Sequence, residues 1–152
     1  MTMKIFKADR KDLDEILRLQ YLAYKSEAAL FGTDDIPPLK QTLDEVVAEY
    51  EKGVILKLVT DDNAIIGSVR AKEENKTAYI GKLMVHPGHR HKGYGTRLLN
   101  KIEECFSCER YELFTSTRSA DNIRLYEKNG YKEYKREAVN DELIFVYMEK
   151  YR

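Results

Sequence analysis

Residues 85–96 read VHPGHRHKGYGT. The apolar and β-branched residues before them predict a strand, their three glycines predict a turn, and the apolar spacing after them predicts a helix over residues 93–106. Such a junction binds anions, because the first turn of a helix has unpaired backbone N–H groups and glycine lets a phosphate approach the backbone. Residues 82–101 also contain five Lys or Arg residues, three His and no acidic residue. The sequence therefore predicts a pyrophosphate site here.

Two other phosphate motifs share some of these letters. Gly88 and Gly93 have the spacing of the glycines in a nucleoside-triphosphate loop, but Tyr94 and Gly95 stand where that loop requires Lys and then Ser or Thr. A dinucleotide fingerprint requires a third glycine, and Leu98 stands at that position. Neither a nucleoside triphosphate nor a dinucleotide is therefore the expected ligand.

The same stretch resembles the signature of the GNAT family of N-acetyltransferases, V-x-P-x-x-[RQ]-x-x-G-x-[GA]. Every specified letter is present, at Val85, Pro87, Arg90, Gly93 and Gly95. Residues 121–131, DNIRLYEKNGY, are similar to a second block of the family. The resemblance covers essentially the whole chain. It implies an α/β fold with a GNAT-like mixed, mostly antiparallel central sheet of six to seven strands, flanked by about four helices.

The resemblance implies acetyl-CoA as the co-substrate and predicts which residues bind it. The pyrophosphate would be held by the backbone N–H groups of Arg90, His91, Lys92, Gly93, Tyr94, Gly95 and Thr96. The pantetheine would lie between strands 77–86 and 111–116. It would pair with main-chain groups of Leu83, Met84 and Val85, and an N–H near Val85 would polarise the thioester carbonyl. Asn122 would contact the cofactor.

The catalytic residue that the resemblance implies is Tyr126, which would protonate the departing thiolate. The proton acceptor is less clear, since many relatives carry a glutamate near the site aligned with Gly81, where this chain has Gly81 followed by Lys82. Glu27, near the end of the first predicted helix, and Glu112, on the fifth strand, are candidates for that role. A water chain, or an amine that is already neutral, would serve equally well.

Local patterns predict the other elements. Helices are expected over residues 10–27, from the capping box of Thr42 and Glu45 to Gly53, and over residues 121–129. Strands are expected over residues 54–60, 64–72 and 77–86 as an antiparallel meander, and then over residues 111–116, 131–137 and 143–149. No repeat or linker interrupts the chain, so one N-acetyltransferase domain is expected over residues 1–152.

Composition and charge limit the partners. Lys+Arg and Asp+Glu both number 26, so the net charge gives no reason to expect a nucleic-acid partner. The longest apolar run, residues 143–148, is far shorter than the roughly 20 residues that span a bilayer. A cytoplasmic protein without a membrane partner is expected. Cys105 and Cys108 predict free thiols, and the three histidines of residues 86–91 predict loop or phosphate contacts, so no metal is expected.

The expected reaction is direct attack of a neutral primary amine, from a small molecule or a peptide, on the thioester. The acidic segment, residues 27–49, contains six acidic residues and one basic residue. Its acids either decorate exposed helix ends and a loop or attract a cationic amine. Two alternatives stay open: a non-catalytic acyl-CoA-binding sensor, and an acetyltransferase for protein N-termini or lysines. A homodimer is compatible with each of them.

Overall fold

Residues 3–152, the part of the chain that the computed structural model describes, form one seven-stranded sheet and five helices. The strands are β1 Lys4–Lys7, β2 Val54–Val59, β3 Ile65–Glu74, β4 Thr77–Val85, β5 Arg110–Ser116, β6 Lys132–Ala138 and β7 Ile144–Tyr151. The helices are α1 Leu13–Phe31, α2 Pro37–Lys40, α3 Leu43–Lys52, α4 Tyr94–Glu104 and α5 Ala120–Lys128. The predicted fold class, a mostly antiparallel α/β sheet of six to seven strands, is confirmed.

The strand order is β1-β2-β3-β4-β5-β7-β6, and every neighbouring pair is antiparallel except β4 and β5. The expected meander of β2, β3 and β4 is therefore present. The parallel pair needs a crossover, and α4 supplies it because Leu98, Leu99 and Ile102 bury its apolar side against the sheet. This connection places the start of α4 beside the end of β4.

The two faces of the sheet are covered by different helices. On one face, α1 and α3 pack Ile16, Leu17 and Val46 against apolar residues of β2, β3 and β4. On the other face, α4 and α5 cover a larger core that includes Tyr126 and Tyr131. The site described below lies where these layers meet at the centre of the sheet.

Some element bounds differ from the expected ones for local reasons. Helix α1 continues to Phe31 and ends at Gly32, whose φ of +72° closes the helix, because Ala28 and Phe31 pack with Ile36 and Leu143. Strand β1, which was not expected, pairs with β2. Residues 37–40 form a short helix rather than only a break, since proline is well tolerated in the first turn of a helix.

Candidate functional site

Strands β4 and β5 separate part-way along their length. They are paired over three residue pairs, the last of which joins Tyr79 to Glu112, although β4 continues to Val85 and β5 to Ser116. A V-shaped slot therefore opens at the centre of the sheet. Three of the predicted cofactor contacts lie along its β4 wall: Leu83, Met84 and Val85.

The same strand has a bulge inside the slot. The ladder with β3 passes from Arg70 opposite Gly81 to Ser68 opposite Met84, so that Lys82 and Leu83 together face one residue of β3. Lys82 has a φ of +52°, in the left-handed region that non-glycine residues seldom adopt. A bulge bends its strand, and this one lies just beyond the point where β4 leaves β5.

The loop after β4 presents a continuous row of backbone donors. Among the described residues, no backbone N–H of residues 90–96 donates to a protein acceptor, whereas the next one, that of Arg97, donates to the Gly93 carbonyl at 3.2 Å. His91 and Gly93 have φ values of +64° and +83°. Left-handed residues in such a turn direct successive N–H groups into one concavity, which is a favourable environment for an anion. The seven predicted pyrophosphate contacts thus lie together.

The Arg90 side chain is a cross-link rather than a solvated loop charge. Its Nε donates to the Val85 carbonyl at 3.3 Å, its Nη1 to Ser26 Oγ at 3.1 Å and its Nη2 to the Ala23 carbonyl at 3.0 Å. The guanidinium therefore joins the end of β4 to α1. It supplies positive charge beside the donor row while it holds the loop in place.

The two motif glycines serve different needs. Gly93 requires its left-handed backbone, and a Cβ there would meet nothing within 4 Å in the part of the chain that the structure describes. A Cβ on Gly95 would lie 3.2 Å from Leu125 Cδ2, so this glycine allows α4 to approach α5. The sequence indicated phosphate access for both positions, and the close packing at Gly95 adds a second reason.

Tyr126, the predicted catalytic acid, lies on α5 and is 6% exposed. Its hydroxyl makes no hydrogen bond within residues 3–152, so it is free to interact with a bound molecule. Burial, together with the nearby Tyr24 and Glu27, raises the pKa of the Tyr126 phenol. The phenol therefore keeps its proton at neutral pH, as a proton donor must.

Glu27 and Asn122 contact each other. The Asn122 amide donates to Glu27 at 2.9 Å and more weakly to Thr115 Oγ1 at 3.4 Å, and the Ser119 hydroxyl donates to Glu27 at 2.7 Å. This bridge connects α1 to the start of α5, close to Tyr126. The amide N–H₂ of Asn122, a predicted cofactor contact, is occupied by these protein acceptors.

Glu112 lies on the side of β5 that faces away from α5. Its carboxylate pairs with the Arg110 guanidinium at 2.8 Å and accepts a hydrogen bond from the Tyr134 hydroxyl at 2.8 Å. These partners hold Glu112 in a surface cluster with Glu149, which also pairs with Arg110. The structure therefore does not bring the two candidate bases, Glu27 and Glu112, to one point.

A buried polar cluster that was not predicted from the sequence lies beneath α1 and α3. Arg70 on β3 is 4% exposed, and its Nη2 donates to Gln20 at 2.8 Å and to Gln41 at 2.7 Å. Its Nε donates to Glu49 at 3.1 Å. The available signal was a glutamine on the apolar side of α1 and an arginine within a buried strand, since buried polar residues need partners.

The acidic segment, residues 27–49, is largely engaged within the protein. Glu45 caps α3, Asp35 pairs with Lys40, and Glu27 and Glu49 accept the hydrogen bonds described above. Glu45 thus agrees with one of the two interpretations of the sequence, in which the acidic residues lie at helix ends. Attraction of a cationic amine by this segment stays a prediction.

Comparison with protein families identifies the chain. A sequence profile described as an acetyltransferase (GNAT) domain matches residues 47–133, which is more than half of the chain and includes both motif blocks. The chain belongs to the GNAT acetyltransferase family. The predicted resemblance is therefore confirmed.

Relatives of this GNAT chain include full-length structural matches. UPF0157 protein YqkA of Bacillus subtilis is 28% identical over 120 residues, which cover 78% of this chain and 34% of YqkA, so the chain spans about a third of that relative. The PaiA N-acetyltransferase of Thermoplasma acidophilum, solved with coenzyme A, superposes with a TM-score of 0.82 at 20% identity over 100% of both chains. YncA of Salmonella typhimurium, a putative acetyltransferase solved with acetyl-CoA, gives 0.75 at 19% identity over 99% of this chain and 94% of YncA.

Two of the remaining sequence candidates in this GNAT domain, His86 and Cys108, have ordinary surroundings, whereas the buried Nδ1 of His89 has no hydrogen-bond partner among residues 3–152. His86 Nδ1 accepts the Gly88 N–H at 2.9 Å, and burial raises the pKa of the Cys108 thiol to about 11. Within residues 3–152, no group of three or more His, Cys, Asp or Glu side chains is arranged to hold a metal ion. No helix in the same range is long and apolar enough to cross a membrane.

Proposed function

We propose that this GNAT domain transfers the acetyl group of acetyl-CoA to a primary amine by direct attack of the neutral amine on the thioester. The observation that carries the proposal is the row of seven unpaired backbone N–H groups in residues 90–96, at the mouth of the slot between β4 and β5. The presence of coenzyme A in the PaiA structure and of acetyl-CoA in the YncA structure supports the choice of ligand.

The row of backbone N–H donors suits a pyrophosphate, because it offers several donors to the phosphate oxygens and a positive potential to their negative charge. Each backbone N–H is a fixed dipole that requires no reorganisation when an anion arrives, and the N-terminal end of α4 adds to the local positive potential. Arg90, anchored to α1, keeps the loop in this conformation before a ligand binds. A preorganised loop binds more tightly because less conformational entropy is lost on binding.

The slot would hold the pantetheine arm against the unpaired side of β4. Acetyl-CoA supplies an activated acetyl group, whose carbonyl carbon is attacked by the amine and whose sulfur leaves as a thiolate. A backbone N–H near Val85 would stabilise the negative charge that develops on the carbonyl oxygen. Tyr126, buried and still protonated, would donate its phenolic proton towards the leaving sulfur.

Acetyl-CoA binding can be tested with a matched pair of glycine variants. Gly93 in the loop and Gly32 at the end of α1 both have left-handed backbones, and a Cβ would meet nothing within 4 Å at either position. Gly93→Ala and Gly32→Ala should therefore each lose about 1 kcal/mol of stability. Only Gly93→Ala should also weaken acetyl-CoA binding. The expected loss in affinity is about tenfold or more, which corresponds to the loss of one charge-assisted hydrogen bond.

Calorimetry with wild type and both variants, combined with an assay for free CoA release over a panel of amines, separates the candidate functions. Acetyl-CoA binding with release of CoA supports the transferase. Binding without turnover of any amine would favour the acyl-CoA-binding sensor, and turnover confined to peptides would favour a protein acetyltransferase. Equal acetyl-CoA affinities for the two variants would contradict the role of the loop.

A further inference from the structure

Arg70 and Gly81 are direct neighbours across the sheet. They are paired in the antiparallel ladder of β3 and β4, so their side-chain positions lie on the same face, with Cβ atoms about 4.5–5.5 Å apart in such pairs. This face is the one beneath α1 and α3, because the Arg70 guanidinium bonds Gln20 of α1 and Glu49 of α3. Gly81 is thus the point at which the slot adjoins the buried polar cluster.

The Arg70 guanidinium is not fully satisfied within the protein. Its Nε and Nη2 donate to Gln20, Gln41 and Glu49, but Nη1, which is also buried, has no partner among residues 3–152. A buried donor of a charged group without an acceptor is costly. A carboxylate oxygen would satisfy this donor with a charge-assisted hydrogen bond.

There is open space beside Gly81, the cross-strand neighbour of Arg70. Apart from its chain neighbours, no atom of the described residues lies within 4 Å of the position that a Cβ on Gly81 would occupy, and the Gly81 backbone is not left-handed. A side chain could therefore stand there without backbone strain. At this point along the sheet β4 has already separated from β5, with which it is paired only as far as Tyr79.

The charge of the cluster is also unbalanced. Lys82 follows Gly81 on the bulge, and burial, together with the positive charge of Arg70, lowers the pKa of the Lys82 amine. Arg70 and Lys82 together face one carboxylate, that of Glu49, which is already bonded to Arg70 and Gln41. An added anion would reduce this repulsion.

We propose that the space beside Gly81 is a subsite for a carboxylate of the acceptor, and that the acceptor is therefore an amine that also carries a carboxylate. The proposal rests on the function proposed above, since it assigns the acceptor side of the same slot. The carboxylate accepts a hydrogen bond from Arg70 Nη1 and offsets the charge of Lys82. The amine of the same molecule then faces the thioester end of the slot.

The first test is a binding experiment with a carboxylate probe. Wild type saturated with coenzyme A is titrated with sodium propionate, and the backbone amide signals of Gly81 and Lys82 are followed by NMR. We expect saturable shifts with propionate and none with propionamide or sodium chloride. Gly81→Gln, which fills the space with an uncharged side chain, should abolish the shifts. Equal responses to propionate and propionamide, or propionate shifts that persist in Gly81→Gln, would overturn the proposal.

A second arm compares the stability of Gly81→Glu and Gly81→Gln. The two side chains have nearly the same shape, but only glutamate carries the carboxylate that Arg70 Nη1 and Lys82 would bind. Gly81→Glu should therefore melt about 2–4 °C above Gly81→Gln at neutral pH, the shift expected for roughly 1 kcal/mol in a chain of this size. Equal melting temperatures would contradict an anion site at this position.

The acceptor class is tested with matched pairs of amines. Free amino acids should be acetylated with a kcat/KM at least about tenfold above that of their primary amides, which corresponds to one charge-assisted hydrogen bond. Equal or higher values for the amides would refute the assignment. Acetyl-CoA binding is measured on the same samples, so that a protein that binds acetyl-CoA but ignores the carboxylate refutes this subsite alone. A protein that does not bind acetyl-CoA refutes the proposed function.

Discussion

Tyr126 and Tyr131 are two buried tyrosines whose ring centroids lie 6.2 Å apart, and they offer a paired test of catalysis against packing. The Tyr126 hydroxyl has no hydrogen-bond partner in the described part of the chain, whereas the Tyr131 hydroxyl donates to Glu103 at 2.7 Å. Tyr→Phe removes only the hydroxyl at each position and keeps the ring. The two substitutions should therefore have opposite effects on rate and on stability.

The magnitudes follow from these contacts. Tyr126→Phe breaks no hydrogen bond among residues 3–152, so its free energy of unfolding should stay within about 0.5 kcal/mol of wild type. Its kcat should fall by about tenfold to a few hundredfold, near the low end for general acid catalysis because a thiolate is already a good leaving group. Tyr131→Phe should lose about 1.5–3 kcal/mol, the usual range for a hydrogen bond to a charged group, and keep its kcat.

The assay combines denaturant unfolding with steady-state release of CoA, and calorimetry checks that the Kd for acetyl-CoA is unchanged. Because burial raises the pKa of the Tyr126 phenol, its deprotonation should not limit kcat below pH 10, the ordinary value for a tyrosine. An unchanged kcat in Tyr126→Phe, together with a lower free energy of unfolding, would assign this residue to packing. The proton donor would then be sought elsewhere, with water the first candidate.

Three further outcomes are expected. Gly53→Ala should cost about 2–3 kcal/mol by overpacking, because its Cβ would lie 2.2 Å from the Ala71 carbonyl oxygen, and urea unfolding measures this loss. Burial and the charge of Arg70 lower the pKa of Lys82 below its usual 10.5, so the charged form of Lys82 costs stability at neutral pH. Lys82→Met should therefore have a higher free energy of unfolding than wild type at pH 7. This difference should shrink as the pH rises towards 10.5. For two amines of different pKa, the pH at which kcat/KM levels off should follow the pKa of the amine; a common value for both would indicate an enzyme base instead.

Local sequence signals were sufficient for most of the fold. The capping box of Thr42 and Glu45 and the end of that helix at Gly53 are present as predicted, because such caps depend on residues three or four positions apart. Strand β1 was missed because its partner, β2, begins about fifty residues later, and four residues with an exposed pattern carry little signal of their own. Pairing with a distant strand decides its structure.

The two halves of the candidate site also differed in whether local sequence could predict them. The loop of residues 90–96 was predictable because its donors are backbone groups whose directions depend on nearby glycines and on the start of α4. The polar cluster was not, since Arg70 gains its partners from residues 21, 29 and 50 positions away in the chain. The Arg90 cross-link to α1, 64 and 67 positions away, was equally invisible in the local sequence.

The nearby carboxylates already have partners, and these partners bear on which group removes the proton from the acceptor amine. Glu27 accepts hydrogen bonds from a hydroxyl and an amide, Glu49 is bonded to Arg70 and Gln41, and Glu112 is paired with a guanidinium. Each of these carboxylates is therefore already held by hydrogen bonds or an ion pair within the protein. With no side chain at Gly81 to take a proton, the ammonium form of the acceptor would have to lose its proton to solvent before attack. The rate would then depend on the pKa of the amine itself, which is why the two-amine comparison separates a solvent route from a protein base.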